Sequence, residues 1–312
     1  MPKIKTAITF ILLVLASVCH GQTCCTGGVP VLDAFTFSNL SKGQFGAHLF
    51  YSYNYNNDLF FDDESIDNSH ISRKVSSLLL QMDYALNDQF GLSISIPYLW
   101  QKEIVDLSVN NVEYVNRGIG DISVWLTYSK KINSLNLNSA ISLKTPTGST
   151  NKEGDNNLAF PISMQTGTGS YDLALIVQSS WYFGKQRKFS LENQMALRLN
   201  SKGNKFKAHP NYKFGNQYLI YAGMGYHLLL FNLVTDLFLG ASYQYRDQDE
   251  FDGGFQNTNT GGHWVNSSIG MNVFITPEFF FSLNASAPLY RNLNGLQLST
   301  TSQLSASINM VL

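Results

Sequence analysis

Apolar and polar residues alternate with a period of two in about a dozen stretches of this chain, and no comparable run carries the 3.6-residue period of a helix. Near the C-terminal end Leu298, Thr300, Ser302, Leu304, Ala306, Ile308 and Met310 share one parity, and Ser299, Thr301, Gln303, Ser305, Ser307 and Asn309 share the other. Farther back, Phe231, Leu233, Leu237, Leu239, Ala241, Tyr243 and Tyr245 oppose Asn232, Asp236, Ser242, Gln244 and Arg246. A water-soluble sheet would turn such a stripe toward an enclosed core. Strands this long and numerous, with small polar residues on the opposite face, predict the reverse arrangement, apolar outside and polar inside, of a transmembrane β-barrel.

Read with flanking aromatics and breaks rich in Gly, Asn, Asp and Pro, the alternation predicts strands over 43–57, 73–86, 89–103, 118–131, 134–146, 170–183, 188–200, 216–228, 231–246, 263–275, 278–290 and 297–311. Most exceed the roughly 9–11 residues that a tilted strand needs to cross a bilayer. Short connectors at 86–89, 132–133, 183–186, 229–230 and 276–277 alternate with long ones near 58–72, 104–117, 147–169, 201–215 and 247–262, and with a smaller one at 291–296. Tight periplasmic turns and longer extracellular loops follow this pattern, and an even strand number returns both termini to the periplasmic side. Residues 158–165 are assigned to a folded-in third loop, because Pro161 has no N–H to give to a ladder. The expected fold is all-β, a single transmembrane antiparallel up-and-down β-barrel of about 12 strands over 43–312.

Composition agrees with this picture. Charged residues are 14% of the chain, below the usual quarter, and aromatics reach 13%. Tyr51, Trp100, Tyr128, Trp181, Tyr243, Trp264 and Tyr290 fall near predicted strand ends, where aromatic rings sit at the headgroup level. The formal net charge of −1, without a basic patch, speaks against a nucleic-acid partner. Residues 1–21 read as a secretory signal peptide, with Lys3 and Lys5 before the apolar run 7–18, which is too short to span a membrane as a helix. Cleavage after Gly21 is the main expectation, and lipid attachment at Cys19 is the alternative. An exported chain with lipid-facing strands belongs in the outer membrane of a Gram-negative-type bacterium, among lipid and lipopolysaccharide.

Residues 22–42 form either a periplasmic tail, exposed or docked on the barrel-end turns, or a short plug. The plug reading rests on apolar Val29, Leu32, Phe35 and Phe37, which a periplasmic tail would leave in water. Cys24 and Cys25 are adjacent and lack the spacing of a zinc site, so they are only weak candidates for a soft metal or a redox role. No cofactor is expected.

The inner face decides function. By parity it carries His48, Asn54, Gln81, Asp83, Asn138, Lys144, Gln178, Glu192, Gln194, Arg198, Asn232, Asp236, Gln244, Arg246, Asn266, Asn272, Asn284 and Gln303. Asp83, Lys144, Glu192, Arg198, Asp236 and Arg246 are candidates for a constriction that selects solutes by charge. The same residues would equally serve as ion pairs that neutralise one another and fill the barrel. Twelve strands lie between the filled barrels of about eight and the open channels of sixteen to eighteen, so a narrow lumen for a small solute is expected. Asn193 falls on the outer parity, which implies either a bulge in its strand or contact with another chain. Asp58, Asp62, Asp63, Glu64 and Asp67 in the first long loop, and Asp247, Asp249, Glu250 and Asp252 in a later one, read as solvated, lipopolysaccharide-facing loops more readily than as divalent-cation sites.

The sequence has no Gly-x-Ser-x-Gly elbow, no His-Glu-x-x-His and no phosphate loop. His48, His227 and His263 have Ser neighbours, but serine is abundant here, so the reading is a non-enzymatic barrel.

Three short motifs carry a resemblance. Arg117-Gly-Ile-Gly-Asp-Ile122 opens a strand, Leu143-Lys-Thr-Pro-Thr-Gly148 closes one, and Gly167-Thr-Gly-Ser-Tyr-Asp172 opens the next. With Pro288-Leu-Tyr-Arg-Asn-Leu-Asn-Gly295, they make the chain resemble, over roughly 28–312, the outer-membrane proteins of the MetA-pathway of phenol degradation family. That family is distantly similar to the barrels carrying fatty acids and aromatic hydrocarbons. The resemblance implies passage of a small hydrophobic or aromatic solute and supplies no substrate-binding residues. The inner face read by parity is polar, which suits a hydrophilic solute better. The expectation is a passive porin-like transporter for a small solute; the alternatives are a closed-lumen barrel serving surface binding or structure, and a barrel lipid hydrolase.

Overall fold

A computed structural model describes residues 35–38, 40–67, 70–106, 111–154, 159–203, 205–206 and 209–312. Twelve antiparallel strands form its barrel. They are β1 (Phe45–Phe61), β2 (Ile71–Ala85), β3 (Phe90–Asp106), β4 in two segments (Asn111–Ile119 and Ser123–Ile132), β5 (Leu135–Lys144), β6 (Asp172–Phe183), β7 (Phe189–Asn200), β8 (Gln217–Leu230), β9 (Leu233–Arg246), β10 (Gly262–Thr276), β11 (Phe279–Leu293) and β12 (Leu296–Val311). Each pairs with its chain neighbours, and β12 pairs with β1 from Gly46↔Val311 to Phe61↔Leu296. The sheet is therefore closed, and each strand of the barrel has a neighbour on both sides, as hydrocarbon surroundings demand.

The parity rule holds along most strands. In β2, Leu78, Leu80, Met82 and Tyr84 face outward and are exposed, while Ser77, Gln81 and Asp83 are buried inside. Leu126, Ile141, Leu175, Ile220, Leu239, Ile269, Leu283 and Leu304 continue the outer apolar surface around the wall. An apolar surface this continuous is far larger than the patches that soluble monomers expose, and lipid is the environment that accommodates it. Aromatic rings gather at both rims: Phe45–Tyr84, Phe90–Tyr128 and Phe189–Tyr226 at the short-turn end, and Tyr218–Tyr245 at the other, with centroids 4.8, 5.1, 5.2 and 5.7 Å apart. The protein has the architecture and outer surface of an outer-membrane β-barrel.

Three local readings change, and a fourth is narrowed. The connector expected at Leu229-Leu230 lies two residues later, at Phe231-Asn232, where both residues have positive φ (52° and 66°). That is the twist a two-residue hairpin needs, and it removes Asn232 from the inner face. The expected loop 104–117 is largely strand, because the first segment of β4 extends the pairing with β3 to Asp106↔Asn111. Register shifts around Asn56 turn buried Thr300 inward, where its hydroxyl meets Asn56 Oδ1, so Thr300 leaves the outer stripe. Asn193 does face outward and is exposed, and β7 pairs without a register shift on either side, so a bulge is not the cause.

At the long-loop end the connectors fold on one another. Four two-residue strands, Lys202–Gly203, Tyr212–Lys213, Asp249–Glu250 and Gln256–Asn257, make a small second sheet beside the barrel mouth. The expected third loop is confirmed as non-strand at Ile162–Met164, a single 3-10 turn that follows Pro161.

Candidate functional site

The candidate site is the barrel lumen, and it is built from three levels. At the short-turn end the chain preceding β1 enters the barrel. Phe35 is buried among inward side chains of β3 to β8: Leu99, Trp125, Ala140, Ile176 and Leu219. Its ring lies 4.3 Å from that of Trp125, with an interplanar angle of 33°, and Phe37 packs edge-on against Phe35 at 5.1 Å. Below them the backbone of Thr36 exchanges hydrogen bonds with the Gln81 amide, donating to Oε1 (3.2 Å) and accepting from Nε2 (2.6 Å). Ser38 Oγ lies 2.6 Å from His48 Nε2 and donates to Asp83, which itself lies 3.0 Å from the His48 ring. The other ring nitrogen of His48 meets Asn309 Oδ1 at 2.8 Å. Two of the four apolar residues expected in a plug, Phe35 and Phe37, are thus inside the lumen. Val29, Leu32, Cys24 and Cys25 lie outside the described residues.

The middle level has two unlike walls. The apolar wall against Phe35 went unnoticed in the sequence, although Leu99, Trp125, Ile176 and Leu219 all occupy inner parity. Across from it, β7 to β12 and β1 present amides and hydroxyls around two adjoining cavities of about 200 and 250 Å3. Phe50, Tyr221, Ser268, Asn284 and Ser305 belong to both. A third cavity of about 350 Å3 opens at the short-turn mouth beside Phe37 and Asp83.

The long-loop level is a roof. Here the three motifs meet. The break in β4 turns the Asp121 carboxylate inward, where it accepts from the backbone of Gly148 (2.8 Å) and Thr168 (2.8 Å) and lies 3.2 Å from Lys144 Nζ. Lys144 also pairs with Asp172, and all three charges are buried. Gly148 and Gly167 allow this approach, because a Cβ on either would stand 2.4–2.8 Å from the other's backbone. Met164, Gln165 and Thr166 are almost wholly buried above the lumen, and Asn116 of β4 donates to Met164 O at 2.6 Å. Beside them Tyr212 packs with Phe206, Phe214 and Phe251 and donates to Asp249 (2.6 Å). Burial pushes the Tyr212 phenol well above its ordinary range, and the Asp249 carboxylate adds to the shift. Partial burial, with the Arg117 charge nearby, lowers the Lys152 ammonium.

The six charges expected at a constriction are not gathered into one ring. Arg198 and Arg246 flank Gln217 in one cross-strand row near the roof, and buried Arg246 binds Asp249. Glu192 lies six residues from Arg198 along β7, roughly 20 Å away at ~3.3 Å per residue, and accepts from Ser180 beside the central cavity. Asp236 meets His227 Nδ1 at 2.6 Å toward the short-turn end, and Asp83 holds the entering segment there. Lys144 belongs to the roof. Two further pairs were not foreseen: buried Arg73 with Glu103 (2.6 Å) and buried Arg291 with half-buried Asp58 (2.7 Å).

No family model matches the sequence, and no curated protein does. Solved structures do match in fold. An outer-membrane channel from Pseudomonas putida F1 is similar at 14% identity with a TM-score of 0.66, over 88% of this chain and 97% of that one. The β-domain of a Bordetella autotransporter matches at 9% identity and a TM-score of 0.52, over 87% and 100%. More distantly, a FadL homologue from Pseudomonas aeruginosa matches at 11% identity and a TM-score of 0.43, over 86% and 90%.

Proposed function

We propose that this barrel is a passive conduit for a small solute, closed in its resting form by the segment that carries Phe35 and Phe37. The observation that carries the reading is the lumen itself. Two polar cavities remain open in its middle, and the aromatic pair Phe35 and Phe37 is inserted into the barrel from the short-turn end. Solute enters from the long-loop, extracellular side when the roof loops part, binds weakly to inward polar groups, and leaves to the periplasm once the segment swings out. No energy source is needed, because the solute moves down its own gradient. The fold shared with the P. putida channel supports this reading.

Planar-bilayer conductance and liposome swelling test it. Wild-type protein should conduct in brief openings, and the Phe35→Ala variant should conduct for longer. Silence from both, with swelling no faster than in empty liposomes, would favour a closed barrel. That second reading has its own support, since Lys144, Arg246, Asp83 and Asp236 are all engaged with partners and none stands ready to receive a charged solute.

A further inference from the structure

We infer that the solute is a neutral, hydroxyl-rich molecule of monosaccharide size; this rests on the conduit reading above and specifies its cargo. The apolar wall of the lumen is already occupied, since Leu99, Trp125 and Ile176 pack on Phe35. The unfilled space lies against the opposite wall, and its chemistry is different.

The upper of the two central cavities is lined mainly by the amides of Gln194, Gln244, Asn266, Asn284 and Gln303 and by four serines, with Phe50 and Leu219 as its apolar members, and among its described lining residues the only ionisable group is the Tyr221 phenol. Each primary amide offers two N–H donors and a carbonyl acceptor, and each serine hydroxyl is both donor and acceptor. That inventory matches a solute whose every hydroxyl also gives and takes. It matches a carboxylate or phosphate poorly, because nothing here supplies positive charge. It matches a hydrocarbon worse, because a hydrocarbon would strip water from these groups and return no hydrogen bonds.

Two further observations point the same way. Asn266 Oδ1 is buried without a hydrogen-bond partner among the described residues, so the amide beside this cavity has an unused acceptor. In the adjoining cavity Phe50, Phe238 and Tyr221 present rings among Asn272, Asn284 and Ser305. Rings beside amides suit a solute with hydroxyls at its edge and C–H groups on its faces. The single carboxylate there, Glu192, opposes anions. Pore selectivity is commonly set by such donors, acceptors and local charge.

The test uses the full-length protein in liposomes, with KCl conductance measured in parallel. Swelling in glucose should exceed swelling in glucuronate, and toluene should not inhibit the glucose flux. Asn266→Leu and Asn284→Leu should each slow glucose by about fivefold, the effect of one lost buried hydrogen bond, with KCl conductance changed less than glucose flux. Should a leucine variant fail to fold, as judged by loss of heat-modifiable mobility in gels, Asn284→Asp preserves volume; it should lower the ratio of glucuronate flux to glucose flux, and an unchanged ratio would count against the inference. Glucuronate moving as fast as glucose, or glucose excluded while KCl passes, would overturn the inference and leave the conduit standing. Passage of nothing, even through Phe35→Ala, would overturn both.

Discussion

The Phe35 ring stacks on Trp125 at 4.3 Å inside the barrel, joining a residue ahead of the first strand to the fourth strand of the wall. In the proposed conduit this contact closes the lumen while the segment Phe35–Ser38 stays docked. Replacing Phe35 by Ala removes a buried ring from a part of the chain held otherwise by hydrogen bonds to Gln81 and Asp83. Truncating a buried aromatic costs about 3–5 kcal/mol in a closed core, and a docked segment loses part of that. Open time in single-channel records should lengthen by at least about tenfold, which corresponds to ~1.4 kcal/mol. An unaltered record would mean that the ring does not obstruct the path.

Lys144 stands between Asp121 and Asp172, all three buried. Lys144→Ala leaves two carboxylates without their cation, and breaking a buried pair in this way typically costs about 3–5 kcal/mol. The folded band in a heat-modifiability gel should therefore disappear at a lower temperature. An unchanged transition would show that water reaches the cluster and replaces the ammonium.

Tyr212 gives the roof a pH dependence with a defined sign. Its phenol titrates above its ordinary value because folding buries it beside Asp249. The folded state therefore disfavours the phenolate. The contribution is complete below the unfolded value of about 10 and is lost as pH rises above it. Limited proteolysis of loops 201–216 and 247–261 should accelerate above that pH in the wild type. Tyr212→Phe should lose about 1 kcal/mol of hydrogen bonding and show a flatter alkaline limb. Equal pH profiles would place the sensitivity in another group.

Asn193 is an exposed amide on a wall that is mainly apolar, and its strand is regular. Asn193→Leu should raise barrel stability in detergent or lipid by about 1 kcal/mol, the order of an amide's transfer cost where some compensation remains. A fall in stability instead, with a change in mobility on native gels, would mean that the amide meets a second chain.

Much of the barrel was legible because lipid imposes one rule on every strand. Leu304, Ala306 and Ile308 face outward as their parity requires, and the alternation of short and long connectors follows from the closed up-and-down order. Departures arise where one residue resets the count. The register shifts at Asn56 reverse Thr300, and the positive φ values of Phe231 and Asn232 move a turn by two positions, because such changes depend on local twist that a period-two pattern does not encode. The site was less legible. Charges on the inner parity drew attention, but Lys144 and Arg246 hold the roof loops together, and their partners Asp121, Asp172 and Asp249 stand in or beside connectors whose folding brings distant segments into contact. Leu99, Trp125, Ile176 and Leu219 were visible as apolar residues on the inner parity. Their meaning depended on Phe35, whose place in the lumen no periodicity specifies.

The pairing of β1 with β12 has a consequence for biogenesis. Phe45 N and Leu312 O, separated by nearly the whole described sequence, meet at 3.1 Å, and Leu312 N returns the bond to Phe45 O at 2.7 Å. The first strand to leave the ribosome therefore waits for the last before its free edge is covered. Until then the open sheet has an unzipped seam, a template for stray strands.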